Sequence, residues 1–315
     1  MKKAFVFPGQ GSQYVGMGLE LAEKFSSVMD LFKKAEDATG IDVRRLCFEG
    51  PMEELTKTSN LQVCLSVVDM VSALALEESD LYPDCTAGHS LGEYPALWAA
   101  GVLSTKSTLE LVKERGRLME GAGASKPGAM AAILGMKKEE LQELIAPLSQ
   151  KGVLALANHN SPEQIVATGE KHLVKELCQA VKKSGKKAIP LKVAGAYHSP
   201  LMEEPALEFA EKLRSVEFNR PHIPLYSNVS GKAETDPERI RNLMVRQMTE
   251  PVRWVEIVDN MISDGVQAFV ETGPKKVLSN LIKKCMGTAE EEGRVICHVQ
   301  DDESLEKCLE TIKNV

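Results

Sequence analysis

No apolar run in this sequence reads as a membrane span. The longest apolar helical stretch, Leu61 to Leu76, is interrupted by Gln62, Ser66, Asp69 and Ser72, as in a helix buried inside a water-soluble protein. The amino terminus has two lysines and then only four apolar residues before Pro8, too few for the core of a secretion signal. These absences predict a cytoplasmic protein with no membrane partner. Basic residues are in deficit, 38 Lys and Arg against 45 Asp and Glu, for a net charge of −7. That balance argues against a nucleic-acid binder, which needs a broad basic footprint. Any anionic partner must then meet a local patch. The seven cysteines, Cys47, Cys64, Cys85, Cys178, Cys285, Cys297 and Cys308, form no C-x-x-C pair. An odd, scattered set predicts reduced core thiols, with neither a metal site nor a disulfide framework. Repeats and low-complexity tracts are also missing, which argues against solenoids and disordered tails.

What the 315 residues do contain is an α/β pattern with a mainly parallel sheet. Short apolar runs predict strands at Lys3–Phe7, Asp84–Gly88, Val266–Glu271 and Arg294–Val299, separated by longer helical stretches. The middle of the chain breaks this rhythm. Strand-like segments at Gly128–Gly135, Val153–Asn158, Gln164–Gly169 and Lys187–Val193 alternate with helices at Lys137–Gln150 and Glu170–Ser184. The order βαββαβ is that of a ferredoxin-like unit. We read it as a small inserted domain, residues 126–197, within a larger domain formed by residues 1–125 and 198–315. Small-residue and proline-rich segments, Gly121–Gly128 and Ala194–Pro200, predict linkers at its borders. A cleft between two such domains favours a substrate site.

Candidate chemistry begins at Gly88-His-Ser-Leu-Gly92, a Gly-x-Ser-x-Gly motif after a short apolar strand. A serine at a sharp strand-to-helix turn projects its hydroxyl above the sheet, which makes Ser90 a candidate nucleophile and a loop serine the bland alternative. Its hydroxyl needs a base. Of six histidines, His198 is the best placed, in the unusual loop Gly195-Ala-Tyr-His-Ser-Pro200 where the insert returns to the main domain. No acidic residue sits just before it, so the residues predict a dyad, with a carbonyl or amide orienting the imidazole. Phe7-Pro-Gly-Gln-Gly-Ser12 is a glycine-rich loop after the first strand. It lacks the features of a P-loop or a dinucleotide site, and Gln10 with the amide of Leu91 is the better reading, as an oxyanion hole.

Taken in order, Phe5-Val-Phe-Pro-Gly-Gln-Gly-Ser-Gln13, Gly88-His-Ser-Leu-Gly-Glu-Tyr94, Arg115-Gly116, Ala157-Asn-His-Asn-Ser-Pro162, Gly195-Ala-Tyr-His-Ser-Pro-Leu-Met202, Gln247 with Pro251-Val-Arg-Trp254, and Glu271-Thr-Gly-Pro274 resemble the malonyl-CoA:acyl carrier protein transacylases. The resemblance runs through almost the whole chain. It implies an α/β-hydrolase-like domain with a ferredoxin-like insert and a malonyl ester on Ser90, with His198 as the base. It also implies that the backbone carbonyl of Gln247 orients His198 and that Arg115 grips the malonyl carboxylate. By sequence alone, Arg115 within Lys113–Arg117 reads as a solvated helix arginine. Met119, Asn160 and Tyr197 match pocket positions of the family. Tyr197 stands where malonyl-selective relatives often carry phenylalanine. Lys275 stands where many relatives carry glycine, and Pro95 implies that the helix after the elbow begins near Gly92.

The implied substrate is malonyl-CoA, and the partner is an acidic acyl carrier protein in fatty acid biosynthesis. No metal and no permanently bound cofactor is implied. Two lysine clusters are candidates for carrier docking, one of Lys182, Lys183, Lys186 and Lys187, the other of Lys275, Lys276, Lys283 and Lys284. The rival readings are a polyketide acyltransferase, a serine thioesterase or hydrolase, and a non-catalytic carrier-binding module.

Overall fold

The computed structural model describes residues 1–193, 195–291 and 293–314, without the side chains of 288–291. Its larger sheet begins with β1 (Lys2–Phe7), whose last four residues are buried, as expected of a strand covered on both faces. Five more strands join it: β2 (Cys85–Gly88), β7 (Leu225–Tyr226), β8 (Ala233–Glu234), β9 (Val266–Thr272) and β10 (Val295–Val299). They lie in the order β10-β9-β1-β2-β7-β8, and every pair is parallel except β7 with β8. The chain leaves β1 for β2 on one side and returns to β9 on the other. That reversal opens a crevice at the carboxyl ends of the strands, where ligands of open α/β sheets bind.

Between β1 and β2 runs the helix Thr58–Glu77, apolar on nearly all faces and packed on the helix Thr105–Ser125. By length and composition alone this helix could cross a membrane, yet 83% of its most apolar window is buried inside the protein. Its polar breaks turn inward. Asp69 is fully buried, and neither carboxyl oxygen has a hydrogen-bond partner among the described residues. A Cβ added at Gly273 would come within 2.1 Å of Asp69 Oδ1, so the chain after β9 lies directly on this carboxyl.

The smaller sheet is antiparallel, in the order β4-β5-β3-β6, formed by β3 (Gly128–Leu134), β4 (Leu154–Ser161), β5 (Gln164–Glu170) and β6 (Lys187–Pro190). Two helices, Lys138–Ser149 and Lys171–Lys183, close a separate core over one face. In the second, Leu173, Val174, Leu177, Cys178 and Val181 recur at helical spacing and are all buried. The chain order is the βαββαβ expected. Strand β4 ties this sheet to the larger part of the molecule. Val252 N donates to Ala157 O at 2.8 Å and His159 N to Val252 O at 2.9 Å.

Two local expectations are corrected, and two strands went unforeseen. Residues Gly121–Ser125 are the last turns of the helix Thr105–Ser125 and not a linker, because their alanines are good helix formers and the space at Gly121 is open. Strand β6 stops at Pro190 and does not reach Val193, because the chain turns there, with Val193 N donating to Leu191 O at 3.0 Å. Strands β7 and β8, two residues each, are too short for any periodicity to announce them.

Burial with no partner pushes the Asp69 carboxyl well above the ordinary aspartate range, with the charge of Glu271 adding to the rise. An acid whose folded pKa is raised stabilises the fold at low pH and loses that contribution as pH climbs above the unfolded value. Urea unfolding of Asp69→Asn should therefore show stability relative to the parent improving from pH 4 to pH 8. A pH-independent difference would place a charge at this position in the native state.

Candidate active site

Strand β2 delivers the chain to Ser90, which takes a backbone φ of 53°, in the left-handed region that side chains disfavour. Such a residue costs about 1–3 kcal/mol and persists only where its surroundings over-determine it. Here they do. Asn228 Oδ1 accepts from Ser90 N at 2.7 Å while Asn228 Nδ2 donates to Gly88 O at 2.6 Å. Gln247 Nε2 donates to Ser90 O at 2.7 Å. The flanking glycines are required by contact. A Cβ on Gly88 would fall 1.9 Å from Gly92 C, and one on Gly92 would fall 2.0 Å from Phe7 O. The elbow then becomes a short 3-10 turn, Ser90–Gly92, followed by the helix Glu93–Ala99 with Pro95 in its first turn, as expected.

His198 also has a positive φ, 58°, and reaches the elbow from 108 residues away in the chain. Its Nε2 lies 2.7 Å from Ser90 Oγ. On the other side, Nδ1 faces the carbonyl oxygens of Gln247 and Glu250, each at 3.0 Å. Carbonyls only accept, so the proton sits on Nδ1 and the Nε2 lone pair is left for the serine. No carboxylate is needed to fix this tautomer. Burial, with the Arg115 guanidinium nearby, holds the imidazole down at about 3, so it is neutral throughout the physiological range.

Arg115 departs furthest from a reading based on residues alone. It is not solvated: the helix Thr105–Ser125 carries it into the interior with no exposed surface. Nη1 donates to Gln62 Oε1 at 3.0 Å, and Nη2 lies 3.2 Å from both Ser90 Oγ and Gln247 Oε1. The Tyr94 ring lies 5.5 Å from the guanidinium carbon. Among the described residues it forms no ion pair, so a buried cation stands beside the candidate nucleophile with only neutral groups in hydrogen-bonding contact. Burial lowers its pKa, while Tyr94 and Glu93 act in the opposite direction.

The remaining candidates divide. Gln10 is exposed in the loop after β1, whose backbone presses on the elbow, since a Cβ on Gly9 would meet His89 O at 2.5 Å. Leu91 is buried in the first turn after the nucleophile. Met119 is a core residue whose Sδ accepts from Gln62 Nε2 at 3.0 Å. Asn160 bonds His89 Nε2 at 2.7 Å, and Tyr197 is buried with its ring against Gly195. Lys275 has a φ of 67°, a conformation that glycine adopts without strain.

The lysine cluster at 275–284 is split, because Lys275 and Lys276 precede the helix Val277–Glu291 and Lys283 and Lys284 lie within it. Lys276 and Lys283 line a pocket with His298 and Lys307 beside β10, Lys284 Nζ donates to Gln164 Oε1 at 3.5 Å, and Lys275 Nζ to Gly11 O at 3.3 Å. The lysines at 182, 183, 186 and 187 are exposed where the helix Lys171–Lys183 ends and the chain turns into β6, with Lys186 beside Gly135.

Three site residues escaped the sequence. Gln62 was visible as a polar break in an apolar helix, and Glu93 stood inside the serine motif. Asn228, after a two-residue strand, had no signal.

With this geometry in hand, the comparisons identify the chain as a member of the acyl transferase domain family, whose pattern matches residues 4–313. It is similar to the malonyl CoA-acyl carrier protein transacylase of Bacillus subtilis (strain 168), at 41% identity covering 99% of this chain and 98% of the relative. Among solved structures it resembles an acyl carrier protein S-malonyltransferase from Vibrio cholerae, with a TM-score of 0.93 and 39% identity covering 98% of this chain and 100% of that one. A malonyl-transacylase solved in complex with a type II PKS acyl-carrier protein matches with a TM-score of 0.93 and 38% identity over 99% of this chain and 100% of that chain.

If Asn228 braces the elbow, Asn228→Ala should cost about 1–3 kcal/mol of stability, from leaving the buried Ser90 N–H and Gly88 C=O unpaired. Chemical denaturation of the variant beside the parent measures it. A loss below about 0.5 kcal/mol, the range of a neutral surface change, would remove Asn228 from this role.

Proposed function

We propose that this protein is a malonyl-CoA:acyl carrier protein transacylase of fatty acid biosynthesis, working in the cytoplasm through an ester on Ser90. The observation that carries this reading is the fully buried Arg115 guanidinium, without a carboxylate partner among the described residues, 3.2 Å from Ser90 Oγ. A planar guanidinium grips a carboxylate through two parallel hydrogen bonds, which an uncharged acyl group cannot return. In the first half-reaction, Ser90 Oγ attacks the thioester carbonyl as His198 Nε2 takes its proton. The oxyanion that forms is held by Gln10 and the Leu91 N–H. Its collapse breaks the C–S bond, and His198 returns the proton to the departing CoA sulfur. The carrier's phosphopantetheine thiol then repeats the sequence in reverse. The Gln247 carbonyl keeps the imidazole in the required tautomer, and Met119, Asn160 and Tyr197 complete the pocket walls. No metal or permanently bound cofactor enters these steps.

The architecture reads as an α/β-hydrolase-like domain, residues 1–125 and 198–315, carrying a ferredoxin-like insert, residues 126–197. The strand order β4-β5-β3-β6 and the βαββαβ chain order support the insert. For the acidic carrier we favour the depression between the turns of the smaller sheet and the helix Val277–Glu291, lined by Gly135, Gln164 and Lys284, with Lys186 beside Gly135. Lys182, Lys183 and Lys187 extend that basic rim, and Lys275 stands over the Gly11 loop. Lys276 and Lys283 face elsewhere and contribute less.

Mixing the protein with malonyl-CoA should add about 86 Da, a malonyl group on an ester-forming residue. Ser90→Ala should take up neither malonyl nor acetyl label, and Arg115→Ala should lose its preference for the charged group. The ester should persist in buffer and empty on addition of holo-carrier; rapid loss to water alone would mark a hydrolase, and no adduct a binding module.

Charge reversal at Lys186, Lys187, Lys275 and Lys284 should slow carrier transfer and spare acylation from CoA. Equal losses in both half-reactions would reject the docking surface.

A further inference from the structure

We infer that Glu93 is a specificity-setting positioning residue, which fixes the orientation of the Gln247 amide and through it aims the Arg115 guanidinium at the acyl group on Ser90. The inference rests on the acyl-transfer reading above. Glu93 is 1% exposed, and its two oxygens have separate partners. Oε1 accepts from Asn228 N at 3.0 Å and Oε2 from Gln247 Nε2 at 2.9 Å. An ionised carboxylate only accepts, so the NH2 end of Gln247 must face it. The other end, Oε1, is thereby turned to Arg115 Nη2 at 3.2 Å, while the same NH2 reaches Ser90 O at 2.7 Å. Were the amide reversed, Arg115 would meet N–H donors, and a guanidinium cannot accept.

With Gln62 Oε1 on Nη1, the arginine hangs between two amide oxygens. Its nearest acid acts one amide away. Glu93 thus supplies negative potential without occupying the guanidinium, whose charge is left for an incoming carboxylate.

A neutral isostere cannot do this. Glutamine offers one carbonyl and one NH2, so either Asn228 N or Gln247 Nε2 would meet a donor and lose its bond. Protonation weakens the same brace, because it turns one oxygen into an O–H that is a poorer acceptor. Burial pushes the Glu93 carboxyl up to about 7, against the pull of Asn228, Gln247, Ser227 and the charge of Arg115. Of the other ionisable neighbours, His198 is neutral in that range and burial holds the Tyr94 hydroxyl protonated. Above about 7 the carboxylate holds both donors; as pH falls through that value the brace is lost.

The test measures kcat/KM for malonyl-CoA and acetyl-CoA as acyl uptake on Ser90, in the parent, Glu93→Gln, Glu93→Asp, Arg115→Ala and the Glu93→Gln/Arg115→Ala pair. Glu93→Gln should slow both substrates but cut the malonyl preference by roughly 10–100-fold, the scale of one misaligned buried polar contact. Glu93→Asp should recover part of it. In the Arg115→Ala background the same change should alter the preference less than about threefold, because the two act through one pathway. The parent's preference should fall below about pH 7, and this dependence should be missing in Glu93→Gln. Should Glu93→Gln fail to fold, Glu93→Asp carries the test, because its shorter arm cannot hold both donors, and a malonyl preference equal to the parent's in that variant overturns the inference. Equal losses for both substrates, or full additivity with Arg115→Ala, also overturn it. A parent that forms no malonyl ester would overturn the acyl-transfer reading itself, whereas a malonyl ester with unchanged preference in Glu93→Gln overturns only this inference.

Discussion

The left-handed backbone at Ser90 is the constraint from which the rest of the site follows. An L-residue in that conformation must be held there, and two side chains from the distant carboxyl-terminal half of the chain, Asn228 and Gln247, grip its N–H and C=O. The same Gln247 lends its carbonyl to His198 and its amide oxygen to Arg115. One residue therefore couples the shape of the elbow, the tautomer of the base and the aim of the cation. The glycines around the serine allow backbone to meet backbone closely enough for these bonds to form.

The electrostatics are organised around burial. A histidine beside a guanidinium, both out of water, stays neutral and so is always ready to accept a proton. The guanidinium pays the desolvation cost of a buried cation and, among the described residues, hydrogen-bonds neutral oxygens, so an incoming carboxylate recovers what burial removed. Selectivity for a charged acyl group and readiness of the base thus arise from one dry pocket. The carboxyl of Glu93 lies just behind it, insulated by an amide.

Much of this was legible because local chemistry leaves local marks. The serine between two glycines, the small-residue loop around His198 and the βαββαβ rhythm each reflect backbone requirements that residue type alone must meet. Side chains recruited across the fold were not legible in the same way. A helix arginine looks the same whether it faces water or a pocket. Asn228 follows a strand of two residues, which has no period to read. The lysine cluster at 275–284 appeared as one patch, yet Lys275 and Lys276 stand before the helix Val277–Glu291, and that helix turns Lys283 and Lys284 about 100° apart.

The amino-acid sequence by itself determined the alternation of strands and helices, the sharp turn that exposes Ser90 and, through ordered motifs, the family. Periodicity and glycine placement act over a few residues, and those are written along the chain. Tertiary structure alone decided that Arg115 is buried, that the Glu250 carbonyl joins that of Gln247 behind His198, and that Asn228, Gln247 and Glu93 converge on one serine. Those facts depend on which surfaces meet when the sheets pack, and contacts across more than a hundred residues have no local signature.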